Sequence, residues 1–490
     1  MKVLSELFSI KSDIKIYSIH SDSRYVKPYS IFFCIEGFNV DGHQYIADAI
    51  FQGAKCIVHS KNLEEYQEGI AYIKVKDTVG ELNRVANIFY DYPSHKMKMI
   101  GITGTSGKTI VASLVKNAVS TFCKTGYIGT ISLEYNGHVL QSPYTTPETL
   151  FLQRNLNNMQ KCGVKVVAME ASSHGLYLRR VEGIRFNIAV MTNIGADHLD
   201  FHGTREHYIQ SQLQLFALLD SQGTGIVNLD DPVSDRFVQA SRNRIITYGI
   251  DTEAQVMAKD ISLYLRKTRF TILLKGQLYP IVVPMIGYCN VYNCLALACV
   301  LLALGSDEKM IVDCLQNIQP VSGRMELLSH NQPFHIIVDY CQTVDHFKTI
   351  YSFIHQVKEP HSRVIAVLGA PGRRKNKDRQ SIGQLTNQYC DYVILTELDD
   401  RGEETEDICL MIQEFLVDTK SVIITNRQIA IEQAIVSANK DDIILLLGKG
   451  HEKFISLGVG NAKYPGDKQV ALSAIEQIYN SQEDDILETL

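Results

Sequence analysis

The chain has 490 residues, 45% hydrophobic and 21% charged, enough apolar material for a large core divided among about three domains at roughly 150 residues each. A net charge of −6 leaves no basic footprint for nucleic acid. The longest apolar stretch, residues 294–304, is well short of the ~20 residues a bilayer span needs; with no secretory h-region and eleven cysteines lacking any Cys-x-x-Cys pair, a reduced, cytoplasmic protein without a membrane partner is expected.

Residues 1–97 alternate short apolar segments (30–35, 55–59, 71–75) with helical patterns and end in the polar, proline-bearing Tyr92-Pro93-Ser94-His95-Lys96, a linker candidate. Residues 98–322 begin with an apolar strand, 98–103, that runs into Gly104-Thr105-Ser106-Gly107-Lys108-Thr109. Glycines at 104 and 107 let successive N–H groups face one anion, Lys108 adds a point charge, and Thr109 offers a hydroxyl to magnesium. Val111, Leu114, Val115, Ala118 and Val119 then recur at helical spacing, which aims a helix N-terminus at the phosphate. The stretch departs from the generic P-loop spacing, since Ile102 stands where the first glycine belongs. Further buried parallel strands are expected at 164–169, 188–192 and 226–229. Glu170 follows the first of these, and Asn193, Asp197 and His198 follow the second, at the strand ends where open α/β sheets hold ligands. Thr109 and Glu170 suit a phosphate-bound magnesium, with His198 as a nitrogen ligand or water-orienting group; a helix cap or a surface loop is the plainer reading of each.

The helical face of Gln212 also carries Tyr208, Leu215, Phe216 and Leu219, so Gln212 is expected to point inward. Cys289, Cys294 and Cys299 fall in or near an apolar helix. A second α/β series follows Val321-Ser322-Gly323, with strands at 336–338, 364–368, 392–396, 422–425 and 443–447 separated by periodic helices. After the second strand come Gly369-Ala370-Pro371-Gly372-Arg373-Arg374-Lys375 and then Arg379, a loop suited to carboxylate or phosphate capture or to a solvated face.

Ordered motifs run through nearly the whole chain. They are Asp22-Ser23-Arg24, Asp41-Gly42-His43, the loop from Thr103 to Thr109, Thr145-Thr146-Pro147-Glu148, Glu170-Ala171-Ser172-Ser173-His174 and Asp197-His198-Leu199-Asp200-Phe201-His202-Gly203-Thr204. Asn290-Val291-Tyr292-Asn293, Gly323-Arg324-Met325-Glu326, Val338-Asp339-Tyr340 and Gly448-Lys449-Gly450-His451-Glu452 complete the series. In these the chain resembles the Mur ligases, most closely the UDP-N-acetylmuramyl-tripeptide synthetases that add the third amino acid of the peptidoglycan stem.

The resemblance implies an α/β, three-domain Mur ligase architecture: an N-terminal UDP-sugar-binding domain (1–97), a central doubly wound P-loop ATPase domain (98–322) and a C-terminal Rossmann-like amino-acid-binding domain (323–490). It implies that Gly104, Thr105, Ser106, Gly107, Lys108 and Thr109 bind ATP together with Asn290, Arg324 and Asp339, and that Thr109, Glu170 and His198 hold Mg2+. Lys108, Glu170 and His198 become the catalytic set. Ser23, Thr145, Thr146, Ser172 and Arg180 would hold UDP-N-acetylmuramoyl-dipeptide; Arg374, Arg401, Gly448 and Glu452 would receive the free amino acid. A monomer is expected. The implied chemistry transfers the γ-phosphoryl group to a carboxylate, and the amine then attacks the acyl phosphate.

Several positions depart from the family pattern. Gln212 occupies the place of the usual carbamylated lysine, which implies weaker binding of a second magnesium and no stimulation by bicarbonate. Asp-Tyr-Ala-His reads Asp339-Tyr340-Cys341-Gln342, and Asp-Asn-Pro-Arg reads Leu398-Asp399-Asp400-Arg401. The retained Arg374 and Arg401 favour an amino acid with a second carboxylate, such as diaminopimelate. Two alternatives stay open: a paralogue forming an amide on another carboxylate, and a non-catalytic nucleotide-binding scaffold.

Overall fold

Strand Lys98–Thr103 is buried at five of its six positions, as a strand covered on both faces must be. It pairs in parallel with Val166–Glu170 on one side and Phe186–Met191 on the other. Thr125–Ile128 adds in parallel beyond Val166–Glu170, while Leu219–Asn228 and then Arg244–Gly249 add beyond Phe186–Met191. The antiparallel strands Leu133–Tyr135 and His138–Leu140 finish the first edge. The chain leaves Lys98–Thr103 for Thr125–Ile128, inserts Val166–Glu170 between them, and then crosses to the opposite side. Winding therefore reverses at Lys98–Thr103, and the glycine loop that follows it sits at a topological switch point.

This computed structural model describes residues 1–487 except 38–39, 196, 329, 331 and 374–375, with the backbone alone from residue 479 onward. The chain forms two units: Met1–Ala254 with Cys299–Gly305, and Gln255–Ala298 with Ser306–Leu490. Besides the sheet above, the first unit contains a parallel four-stranded sheet of Ser18–His20, Ser30–Phe33, Ala54–His59 and Ala71–Lys74. Helix Thr78–Phe89, capped by Asp77, follows it. Asn83 of this helix donates to the Arg179 carbonyl at 3.0 Å and accepts from Thr149 at 3.0 Å, so the N-terminal segment grips the loop that carries Arg180. The expected linker is a packed 3-10 turn, Pro93–Lys96, with Pro93 and Ser94 buried. Its polarity is used internally, since Ser94 accepts from the Arg185 N–H at 3.3 Å.

The strand expectations hold to within a few residues in the first unit, except that the strand expected at 226–229 begins seven residues earlier, at Leu219. One shift matters: Glu170 is the last residue of its strand, which begins at Val166, and does not lie beyond its end. Helix Lys108–Ser120 buries Val111, Leu114, Val115, Ala118 and Val119 as their spacing required. Tyr208, Leu215 and Phe216 are buried on helix Arg205–Ala217 beside Gln212, but Leu219 is not on that face, because the helix stops at Ala217 and Leu219 opens a strand.

The second unit holds an antiparallel meander, Val256–Tyr264, Lys267–Leu274 and Gln277–Val283, that the periodicity analysis did not find. Helix Tyr288–Ala303, whose residues from Cys299 onward belong to the first unit, carries Cys289, Cys294 and Cys299 as expected. The C-terminal sheet runs Glu326–Leu328, His335–Asp339, Ile443–Leu447, Val364–Leu368, Tyr392–Leu395, Lys420–Ile423, parallel except for the first strand. The last strand in sequence, Ile443–Leu447, is inserted between two early ones, so Asp339-Tyr340 and Gly448-Lys449 leave neighbouring strands at the same end.

Candidate active site

In the first unit the glycine loop, residues 104–109, is held by the neighbouring strand ends. Gly104 has φ +140°, and a side chain there would collide with Thr192 Oγ1. The Thr105 N–H donates to the Asn193 carbonyl at 2.8 Å and the Ser106 N–H to Asn193 Oδ1 at 3.0 Å. Thr192 Oγ1 and Asn193 Nδ2 both donate to the Ser106 carbonyl, at 2.7 and 3.0 Å. The Lys108 ammonium donates to the carbonyls of Gly104 and Thr105 at 2.6 and 3.0 Å. Lys108 is thus folded over its own loop, at the first residue of helix Lys108–Ser120, where the helix dipole also favours an anion.

Thr109 and Glu170 meet. The Thr109 hydroxyl donates to Glu170 Oε2 at 2.8 Å, and the fully buried carboxylate accepts three more bonds, from the Tyr127 hydroxyl (2.8 Å), the Thr130 N–H (2.8 Å) and the Thr130 hydroxyl (3.0 Å). Burial and then the Glu170 charge push the Tyr127 phenol well above its ordinary pKa, so it remains a donor. A side chain at Gly129 would collide with Glu170 Oε1 and the Tyr127 hydroxyl, which explains the glycine. Neither Tyr127 nor Thr130 was found from sequence. A tyrosine in a short apolar run reads as core, and only the Gly129-Thr130 turn hinted at a strand-end site.

The same network reaches the residues expected to hold the UDP-sugar peptide. Thr130 and Thr145 hydroxyls lie 3.0 Å apart; Thr146 Oγ1 donates to the Glu170 carbonyl at 2.8 Å and accepts from the Ser172 N–H at 2.9 Å. Arg180 donates to the Thr146 carbonyl at 2.9 Å and lies over the Tyr144 ring at 4.5 Å. Thr109, Glu170, Thr145, Thr146, Ser172 and Arg180 therefore form one continuous hydrogen-bonded chain. Ser23 lies apart from it, buried in the 3-10 turn Ser23–Tyr25 of the N-terminal segment.

His198 belongs to a histidine cluster. It caps helix Leu199–His202 with φ +53°, lies 3.4 Å from Asp197 Oδ2, and meets the His174 ring edge-on at 4.6 Å. Burial, then His198, lowers the His174 pKa to about 4, which keeps that imidazole neutral. Gln212 is fully buried; its carbonyl accepts from the Thr103 hydroxyl at 3.1 Å, and its amide nitrogen has no hydrogen-bond partner among the described residues. Oxygen ligands at Thr109 and Glu170 fit a magnesium ion, whereas the neutral Gln212 amide offers no anion for a second one. Among the described residues, no group of three or more His, Cys, Asp or Glu gathers as a metal cage.

In the second unit, Asp339 is buried and accepts from the Met325 N–H at 2.7 Å. Burial raises its pKa to about 6, with Arg324 opposing. The Arg324 guanidinium lies over the Tyr340 ring at 4.5 Å, and burial lowers the pKa of the neighbouring His451 to about 3. Asn290 donates to the Ile286 carbonyl at 2.8 Å and accepts from Asn293 at 2.9 Å. Gln342 donates to the Gly448 carbonyl at 3.1 Å. Glu452 accepts from the Tyr340 hydroxyl at 3.1 Å and from Lys449 at 2.5 Å. The Arg401 N–H donates to the Ser456 carbonyl at 3.2 Å.

The basic loop after Val364–Leu368 differs from expectation. Arg379 is not available for anion capture: it is buried and paired with Glu403 at 2.7 Å, because a guanidinium this deep needs a counterion of its own. Arg374 lies outside the described residues.

Three family models match: Mur ligase family, catalytic domain, over residues 15–92; Mur ligase middle domain over 102–301; and Mur ligase, glutamate ligase domain, over 323–450. The UDP-N-acetylmuramoyl-L-alanyl-D-glutamate--2,6-diaminopimelate ligase of Caldanaerobacter subterraneus subsp. tengcongensis is 35% identical over 467 residues, 94% of this chain and 96% of the relative. The protein of the same name from Geobacillus kaustophilus is 35% identical over 472 residues, 94% and 95% of the two chains. Among solved structures, a UDP-N-acetylmuramoyl-L-alanyl-D-glutamate--2,6-diaminopimelate ligase superposes with a TM-score of 0.70 at 24% identity, covering 98% of this chain and 99% of the other. The MurF ligase of Thermotoga maritima in complex with ADP gives 0.63 at 17%, covering 97% and 100%. Fold, motif order and sequence agree over almost the full length, and the chain belongs to the Mur ligase family, with its three-domain architecture.

Proposed function

We propose that this Mur ligase uses ATP to join a diamino acid to the free carboxylate of UDP-N-acetylmuramoyl-L-alanyl-D-glutamate, in the synthesis of peptidoglycan precursors. One observation carries the reading: the hydrogen-bonded chain from Thr109 through Glu170 to Thr146 and Arg180, which links the phosphate loop to the residues assigned to the muramyl peptide. The names of the 35% identical relatives support the same substrate and favour 2,6-diaminopimelate as the amino acid. Arg401 fits its second carboxylate, although the Asp-Asn-Pro lead is missing.

In this reading a carboxylate is first made reactive. Lys108 and the N–H groups of Gly104 to Thr109 offset the charge that gathers on the transferring phosphoryl group. Asn290, Arg324 and Asp339 are assigned to the nucleotide. Thr109 and Glu170, with His198, would hold magnesium, which when bound supplies charge neutralisation at the phosphates. Thr145, Thr146, Ser172, Arg180 and Ser23 orient the UDP-sugar peptide, while Gly448, Glu452, Arg401 and Arg374 receive the amino acid. Its amine then displaces phosphate from the acyl phosphate and forms the amide. The domain limits proposed are 1–97, 98–322 and 323–490, in a cytoplasmic monomer without nucleic-acid or membrane partners; among the described residues no helix is long and apolar enough to cross a membrane.

The test is phosphate release from ATP with UDP-N-acetylmuramoyl-dipeptide, screened across diaminopimelate, lysine and ornithine. Release that needs both co-substrates and is fastest with diaminopimelate supports the reading. Release with another carboxylate acceptor identifies a paralogue; nucleotide binding without release identifies a scaffold.

A further inference from the structure

We infer that Lys449 is a positioning residue for amino-acid recognition, one that sets the place of Glu452 relative to Asp399 and Arg401. This rests on the assignment of Glu452 to the amino-acid site. The Lys449 side chain is wholly buried, with its ammonium 3.0 Å from Asp399 Oδ1 and 2.5 Å from Glu452 Oε2 and 4.9 Å above the centre of the Phe454 ring. Its three protons thus have two carboxylates and an aromatic face around them.

Each partner belongs to a different segment. Asp399 lies in the loop after Tyr392–Leu395, Glu452 in the loop after Ile443–Leu447, and Phe454 opens the hairpin Phe454–Leu457 with Gly460–Lys463. Asp399 Oδ1 also accepts from the Ser456 N–H at 2.7 Å, and the Ser456 carbonyl accepts from the Arg401 N–H. Tyr340, at the end of His335–Asp339, donates to the other oxygen of Glu452. A single ammonium therefore registers Arg401 and Glu452 against each other.

Burying such a charge is costly and is a poor device for stability alone, since an apolar replacement of similar volume is often neutral. Its particular effect here is electrostatic. Burial raises the Glu452 pKa and Asp399 adds to the rise, while Lys449 opposes both. The two carboxylates outnumber the ammonium, and Glu452 retains a partly exposed edge, with 12% of its side chain accessible.

The two sides of the pair make opposite predictions. Lys449→Met should raise KM for the amino acid by ~10-fold while KM for ATP and for the UDP-sugar peptide change less than ~3-fold. The acid limb of kcat/KM for the amino acid should move to higher pH, because Glu452 then protonates more readily. Asp399→Asn removes a negative neighbour and keeps the Lys449–Glu452 pair, so its acid limb should move to lower pH. Lys449→Arg should recover part of the loss. If Lys449→Met does not fold, the Asp399→Asn limb and the Lys449→Arg KM still decide. Limbs that move together or not at all, or equal rises in all three KM values with a lowered Tm, overturn the inference. Absence of turnover in the wild type would overturn the functional reading, and this inference with it.

Discussion

The phosphate-loop cluster of the first unit and the Lys449 cluster of the second treat buried charge in different ways. Around Glu170 one carboxylate is saturated by neutral donors: two threonine hydroxyls, a tyrosine hydroxyl and a backbone N–H. Around Lys449 an ammonium is shared between two carboxylates, and Asp339 and His451 nearby have pKa values displaced mainly by burial. Neutral donors fix a carboxylate without adding charge, as the proposed uptake of a cation at Glu170 requires. Paired charges set one another's protonation, so changing any member of the second cluster alters its neighbours.

The largest effect that would break this contrast is at the phosphate loop. Lys108→Ala should lower kcat by at least ~10³-fold, read as ATP-dependent phosphate release, with the fold retained by circular dichroism. Activity within tenfold of wild type would remove the loop from the chemistry.

Next in size is the shell of Glu170. Glu170→Gln should abolish saturable Mn2+ binding in the presence of ADP, and Tyr127→Phe should weaken it by roughly tenfold by removing one of four donors to the carboxylate. Both are read by electron paramagnetic resonance titration, independently of turnover. Equal Mn2+ affinity in wild type and Tyr127→Phe would show that the tyrosine only fills space.

A smaller effect separates the second cluster from the first. The folded-state pKa of Asp339 is raised from 3.8 to about 6, so the native state binds more protons than the unfolded state between those values. Stability from this group is full below the unfolded pKa and is lost as pH rises through about 6. Asp339→Asn, which cannot ionise, should therefore have a higher Tm than wild type at pH 7.5 and no advantage below about pH 4, at the same time as it binds nucleotide more weakly. A lower Tm at pH 7.5 would mean that the ionised group is stabilised by more than Arg324 and the Met325 N–H.

The smallest effect concerns Gln212. Added bicarbonate should leave turnover unchanged, because a buried neutral amide cannot be carbamylated. A bicarbonate-dependent rise would point to a lysine elsewhere in the chain as the acceptor.

By itself the sequence determined the succession of parallel strands, the glycine loop at Gly104 to Thr109, and the family. These depend on short-range properties: two-residue and 3.6-residue periodicities, and the φ values that glycine alone adopts freely. It also placed Gln212 inward, because helical spacing projects a face without reference to the rest of the fold. Helical spacing does not end that helix before Leu219, and the antiparallel meander at 256–283 goes unmarked by apolar runs because strands such as Lys267–Leu274 bury only every second position. Only the tertiary structure decided that Tyr127 and Thr130 serve Glu170, that Arg379 is committed to Glu403, and that Lys449 answers both Asp399 and Glu452. Apart from Lys449 with Glu452, three positions away, these pairings join residues separated by tens of positions along the chain, and which of them leave water together is settled only when their strands lie side by side.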